Sequence, residues 1–259
     1  MSIQITTEQI KELRDLTSIS VMQCKHALEE AEGDMKKALA ILKKKSSDIA
    51  LKKVDREVKD GRVSVKSDDQ KTVLVSLLCE TDFVARNEDF EKLLNSLTEE
   101  ALKNGIEKMK STAKDMIDPV IQKTGENIQL GTTYEVTGSV VNNYLHNNKI
   151  GVIVSLEGGD KELARDIAMH IAAMKPEYIS KDEINADAQN TMKEVFEKEI
   201  ASIDKPQEIK EKMLLGKMAT YFKEKTLLDQ AFIKDGEQTV GQLLEKAKAK
   251  IKEVKRYSI

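Results

Sequence analysis

The segment Thr81-Asp82-Phe83-Val84-Ala85-Arg86-Asn87 gathers residues suited to recognition rather than bond-making: a carboxylate beside an aromatic ring, flanked by a hydroxyl and a guanidinium. It follows a β-branched, apolar run from Thr72 to Cys79 and precedes a helical stripe that Asn87 can cap. It is therefore a short strand-to-helix loop, a place where functional residues concentrate. Two readings of Phe83 stand at this level. Either it is an exposed aromatic that makes, with Asp82, a wedge for another protein. Or it packs beneath the loop onto Phe90 or Leu94, which the usual burial of phenylalanine favours.

The remaining residues with chemical potential are dispersed. His26, His146 and His170 form no H-x-x-x-H pair that would bring two imidazoles onto one helical face for a metal, so each reads as a surface or locally bonded histidine. Cys24 and Cys79 lie far apart with no CxxC beside them and read as small buried hydrophobes. G-x-x-x-x-G-K-[ST], G-x-G-x-x-G and G-x-S-x-G are absent, so no phosphate cradle or nucleophilic serine is indicated, and no general acid or base stands out among 45 carboxylates. The expectation is a protein that is not an enzyme, uses no cofactor and binds no nucleotide directly. Lys43 to Lys45, with Lys52 and Lys53, could be an RNA patch or a solvated linker. A net charge of -3, five Phe, five Tyr and no Trp argue for the linker and against a nucleic-acid partner.

A scaffold must hold these residues, and 259 residues suffice for two domains. Composition, 40% hydrophobic and 34% charged, is too apolar for disorder and predicts much exposed helix. No apolar run approaches the roughly 20 residues of a membrane span, and MSIQITTEQI lacks a signal-like pattern, so a soluble, cytoplasmic chain without membrane contact is expected. Capping boxes at Thr6-x-x-Gln9 and Ser20-x-x-Gln23, then Gly33 and Asp34, predict three short helices, the last broken by the Lys43-Lys44-Lys45-Ser46-Ser47 run. The period then changes. Arg62 to Lys66 alternates, Asp68-Asp69 turns, and Thr72 to Cys79 reads as a strand buried on both faces. A helix with the stripe Phe90, Leu93, Leu94, Leu97 and Ala101 follows and ends near Gly105.

The same order returns about 77 to 79 residues later: Gly61-Arg-Val-Ser-Val matches Gly138-Ser-Val-Val, and Leu74-Val-Ser-Leu matches Ile153-Val-Ser-Leu. A helix with Leu163, Ala164, Ile167, Ala168 and Ile171 then runs up to Pro176. Met192, Val195, Phe196 and Ile200, the turn Asp204-Lys205-Pro206, and Ile209, Met213 and Phe222 predict a projecting helical hairpin. Thr239-x-x-Gln242 caps a late helix, and Ile251 to Ile259 reads as a closing strand. The expected fold is α+β: a three-helix N-terminal module at 1–50, a first core subdomain at 51–140, and a second at 141–259 containing the hairpin at about 187–228.

Ile10-Lys-Glu-Leu-Arg-Asp-Leu-Thr17, Met22-Gln-Cys-Lys-His-Ala-Leu28, the Thr81 to Asn87 segment, Ile167-Ala-Met-His-Ile-Ala-Ala173 with Lys175-Pro-Glu-Tyr178, and Thr239-Val-Gly-Gln-Leu-Leu244 resemble, in order, the motifs of the translation elongation factor Ts family. Its members are nucleotide-exchange factors for elongation factor Tu. The resemblance implies an N-terminal module similar to ubiquitin-associated domains, a duplicated core and a coiled-coil protrusion. It implies that elongation factor Tu is the partner, that Asp82 and Phe83 enter its GTPase domain and disturb its magnesium and phosphate site, and that Thr81 and Val84 hold the loop. Arg14, Val21, Met22 and Lys25 fall on the N-terminal signature that contacts the same domain, and His170 matches a histidine near the contact with another partner domain. Two departures follow. The sequence stops at Tyr257-Ser258-Ile259, where some members continue into a C-terminal helical module, and Thr17-Ser18-Ile19-Ser20 stands where the family often has glycine. The alternative from a different class is a scaffold whose N-terminal module recruits some other protein.

Overall fold

Burial periodicity and capping chemistry settle most elements of the computed structural model, which describes residues 5–17 and 19–259. The chain forms two units, one running to Glu135 and taking back Asn147–Gly151 and Tyr257–Ile259, the other made of Val136–His146 and Val152–Arg256. In the first, α1 (Thr7–Thr17), α2 (Val21–Glu30) and α3 (Met35–Leu51) close around Leu13, Ile19, Cys24, Leu28, Ala38 and Leu42. Ser20 caps α2 by accepting from the Gln23 N–H, and Asp34 caps α3 by accepting from Lys36 and Lys37 at 2.9 and 3.1 Å. The lysine run does not break α3. Ala38, Leu42, Ser46 and Ala50, four apart, are all buried, so the helix keeps an inward stripe through that run. The lysines point outward, Lys43 to Asp115 at 3.1 Å and Lys45 to Glu30 at 2.7 Å, and the expected polar linker is helix.

β1 (Asp60–Ser67) and β2 (Lys71–Cys79) pair antiparallel, with Val63 opposite Ser76 and Val65 opposite Leu74. The Asp68 carboxylate closes their turn by accepting from the Gln70 and Lys71 N–H groups, both at 2.8 Å. Next come α4 (Asp82–Ala85), α5 (Glu88–Asn104), α6 (Ile106–Thr124) and β3 (Ile128–Thr137), which completes a sheet of order β1-β2-β3. The helices cover the sheet through one core that includes Val73, Val75, Leu77, Phe90, Leu94, Leu97, Met109, Ile117 and Ile128. Each such large side chain contributes about 1.5–3 kcal/mol by leaving water.

The second unit contains β4 (Val140–His146), most of β5 (Ile150–Glu157), α7 (Lys161–Met174), α8 (Ala186–Ala201), α9 (Gln207–Lys225), the short pair β6 (Ala231–Phe232) and β7 (Asp235–Thr239), α10 (Val240–Lys246) and most of β8 (Lys250–Ser258). The second sheet has order β4-β5-β8. Asp160 caps α7 from its N-terminal side, and Lys175, in the left-handed region at φ 49°, ends it before Pro176. Within α8 and α9 only Ile200 and Phe222 are buried. The pair is held by an edge-on contact of Phe196 with Tyr221 and by Lys217, which pairs with Glu199 at 2.6 Å above the Phe196 ring. The reciprocal capping box of Thr239 and Gln242 forms as its spacing predicts. Among the described residues no helix is long and apolar enough to cross a membrane. The fold is α+β.

Candidate partner-binding site

The Thr81–Asn87 segment leaves the end of β2 as a single helical turn, α4, and passes directly into α5. Thr81 caps the turn, its hydroxyl oxygen accepting the Val84 N–H at 3.4 Å, and Asn87 caps the next helix from the Asp89 N–H at 2.9 Å. Ala85 is buried and Val84 packs partly into the core. Because neighbours on a helical turn differ by about 100° in direction, Phe83 is turned away from that core. Its side chain is 83% exposed, so the reading that packs it on Phe90 or Leu94 does not hold. Asp82, half-buried, carries an ion pair with Arg86 at 3.2 Å. Such exposed pairs contribute about 0–1 kcal/mol, so Asp82 can exchange this partner for another at little cost.

The turn is tied down from below by groups the sequence does not bring together. Glu126, at the α6-to-β3 corner, accepts the Thr81 N–H at 3.0 Å and its O–H at 2.6 Å. Gly125 makes that corner by ending α6 in the left-handed region, at φ 78°. Asn127, buried, donates its side-chain amide to the Arg56 carbonyl at 2.7 Å and its backbone N–H to Glu80 at 2.6 Å. The Cys79 thiol donates to the Thr81 carbonyl at 3.2 Å. Burial, reinforced by the charges of Glu126 and Asp60, pushes this thiol up to about 12, so it stays a proton donor and not a nucleophile.

The other sequence-derived residues sit in two places. Arg14 on α1 and Val21, Met22 and Lys25 on α2 are all exposed, in two helices that pack against each other. Val21 and Met22 are apolar groups left in water. His170 is a side chain of the second unit and has no exposed surface. Its Nδ1 accepts the Ile233 N–H at 3.2 Å and its Nε2 faces Gln230 Oε1 at 2.9 Å, which fixes the neutral ring with the proton on Nε2. Burial lowers its pKa, opposed by the Gln230 hydrogen bond. Among the described residues no group of three His, Cys, Asp or Glu side chains is placed to hold a metal.

The model of the family described as Elongation factor TS matches residues 80–259. Relatives named Elongation factor Ts are 38% identical in Thioalkalivibrio sulfidiphilus, over 98% of this chain and 92% of the relative, and 39% identical in Hahella chejuensis over the same shares. The relative in Deinococcus deserti is 38% identical over 94% of this chain and 96% of its own. The chain belongs to the elongation factor Ts family. That places it among the elongation factors of protein biosynthesis. Of the two residues in the loop that carry the resemblance, the aromatic Phe83 is presented to solvent and the acid Asp82 is half-exposed, on a turn capped by Thr81 and followed by the cap of Asn87. The supporting residues Glu126, Glu80 and Asn127 escaped the sequence reading, since Glu126 lies 45 residues from Thr81 and only the fold joins them.

Proposed function

We propose that this chain binds GDP-loaded elongation factor Tu in the cytoplasm and accelerates GDP release, so that GTP can rebind during elongation. Membership of the elongation factor Ts family makes it a nucleotide-exchange factor rather than an enzyme, and the proposal concerns how these residues do that work. The observation that carries it is Phe83, a large apolar ring left 83% exposed on a braced turn beside Asp82. Entry of Phe83 and Asp82 into the partner's GTPase domain displaces ligands of its magnesium ion. The ion neutralises phosphate charge, so its loss weakens the hold on GDP without any chemical step by this chain.

Thr81 and Val84 keep the turn in place during that entry. The three-helix module at 1–50 anchors the same domain through Arg14, Val21, Met22 and Lys25. In the second core half His170, being buried, acts through what it holds, the half-exposed Ile233 and its hairpin, which face a further partner domain. The chain itself binds neither nucleotide nor membrane in this scheme. Because coupling is reciprocal, GDP weakens the factor's binding as much as the factor weakens GDP's, which makes the complex transient.

The test is stopped-flow release of fluorescent GDP from a matched elongation factor Tu at rising concentrations of this chain, with unlabelled GDP as trap. Release is expected to accelerate to a plateau. A folded chain that leaves the rate unchanged would overturn the proposal.

A further inference from the structure

We propose that Glu126 is a positioning residue for nucleotide exchange, fixing the turn that presents Phe83; this rests on the exchange-factor reading above. The Glu126 carboxylate accepts both donors of Thr81, the N–H at 3.0 Å and the O–H at 2.6 Å, a two-point hold strengthened by the ionised acceptor. The hydroxyl has a single proton. With that proton committed to Glu126, its lone pairs are left for the Val84 N–H, which it caps at 3.4 Å. Glu126 therefore sets the rotor on which the N-cap of α4 depends.

Glu126 is itself held by a fixed corner. Gly125 turns the chain out of α6, and Asn127 ties the next residue to Glu80 and to the Val54 and Arg56 carbonyls. Phe83 is 83% exposed, so load that a partner puts on the ring passes through the α4 backbone, to Thr81 and Glu126 on one side and to the packed Val84 and Ala85 on the other. A turn freed from that hold would sample other directions, and the partner would have to restore the productive one at the moment of exchange. Glu126 should thus govern the rate of exchange in the complex and leave formation of the complex, made over a wider surface, nearly unchanged.

The experiment measures GDP release from elongation factor Tu across factor concentration for the full chain and its variants. Glu126→Gln is nearly isosteric but offers one acceptor oxygen in place of two, so either the Thr81 N–H meets an amide donor or the Thr81 hydroxyl turns to accept from the amide and loses the hold that fixed its rotor. It is expected to lower the plateau rate about tenfold, with the half-saturating concentration within about twofold. In a Phe83→Ala background, Glu126→Gln should have little further effect, because both act through the same ring. A wild-type plateau for Glu126→Gln overturns the proposal while leaving the exchange reading intact. So does a loss expressed only in half-saturation, or an equal loss with Phe83→Ala already present. A wild-type chain that does not accelerate release at all sinks the exchange reading itself, and the proposal with it.

Discussion

Phe83 and Phe90 sit seven positions apart and have opposite fates, one 83% exposed and the other fully buried. Exposure makes Phe83→Ala nearly neutral for stability, within about 0.5 kcal/mol, while Phe90→Ala should lose about 3–5 kcal/mol through lost transfer energy and a cavity. Urea melts of the two variants test this directly, and exchange assays should show the reverse order for Phe83→Ala, a fall in plateau rate from a stable protein. A large stability loss for Phe83→Ala would mean that the ring is core after all. The sequence could locate the loop, because β-branched residues precede it and Asn87 begins a helical stripe. It could not decide where Phe83 points. That depends on α4 forming as a turn that directs Val84 and Ala85 inward, and on a carboxylate arriving from Glu126.

At the level of elements, legibility follows whether burial repeats along the segment itself. The β1–β2 hairpin and α5 announce themselves through their own stripes, whereas α8 and α9 are legible from apolar spacing alone, since only Ile200 and Phe222 of that spacing are buried and Val195 and Ile209 are exposed. α6 carries Met109, Ala113, Ile117 and Ile121 on its buried face, yet Pro119 and many polar neighbours hide that stripe, and β3 is only partly buried over most of its length. The lysine run of α3 misleads for the opposite reason, being polar on the outside of a helix whose inner face continues. The β6–β7 pair offers a test at this scale. It is fastened to α7 by His170 Nδ1 accepting from Ile233 and by the Lys234–Asp166 ion pair at 2.5 Å. The pKa of His170 is lowered in the folded state, so the unfolded chain binds this proton first as pH falls. Its contribution to stability is complete above the ordinary histidine value of about 6.5 and is lost as pH falls from there through the lowered folded value. Protonation at Nδ1 also removes the acceptor for the Ile233 N–H. Urea midpoints should therefore drop between pH 7 and pH 5 more steeply for the wild type than for His170→Gln, and amide exchange at Ile233 should rise over the same range. Equal slopes would show that His170 does not couple protonation to this hairpin.

Under the proposed function, labour across the whole molecule is divided between anchoring and exchange. Val21 and Met22 present apolar side chains, 50% and 62% exposed, on α2, whereas Phe83 occupies a braced turn between β2 and α5. Anchor residues stabilise the complex before and after GDP leaves alike, so their loss should raise the half-saturating concentration and spare the plateau rate. A wedge acts only as the magnesium site is disturbed, so its loss should lower the plateau. Val21→Ala with Met22→Ala is expected to raise the half-saturating concentration about tenfold, the effect of removing one to two good interface contacts. The plateau should stay within about twofold. Combined with Phe83→Ala, the two kinds of change should multiply with no coupling, because the residues share no contacts and act on different steps. The same titrations carried out on GDP-bound and nucleotide-free elongation factor Tu close a thermodynamic cycle, and the ratio of the two factor affinities must equal the ratio of GDP affinities with and without the factor. If the α2 variants lowered the plateau as much as Phe83→Ala does, anchoring and exchange would be one event spread over the surface, and a separate wedge would have no place in the mechanism.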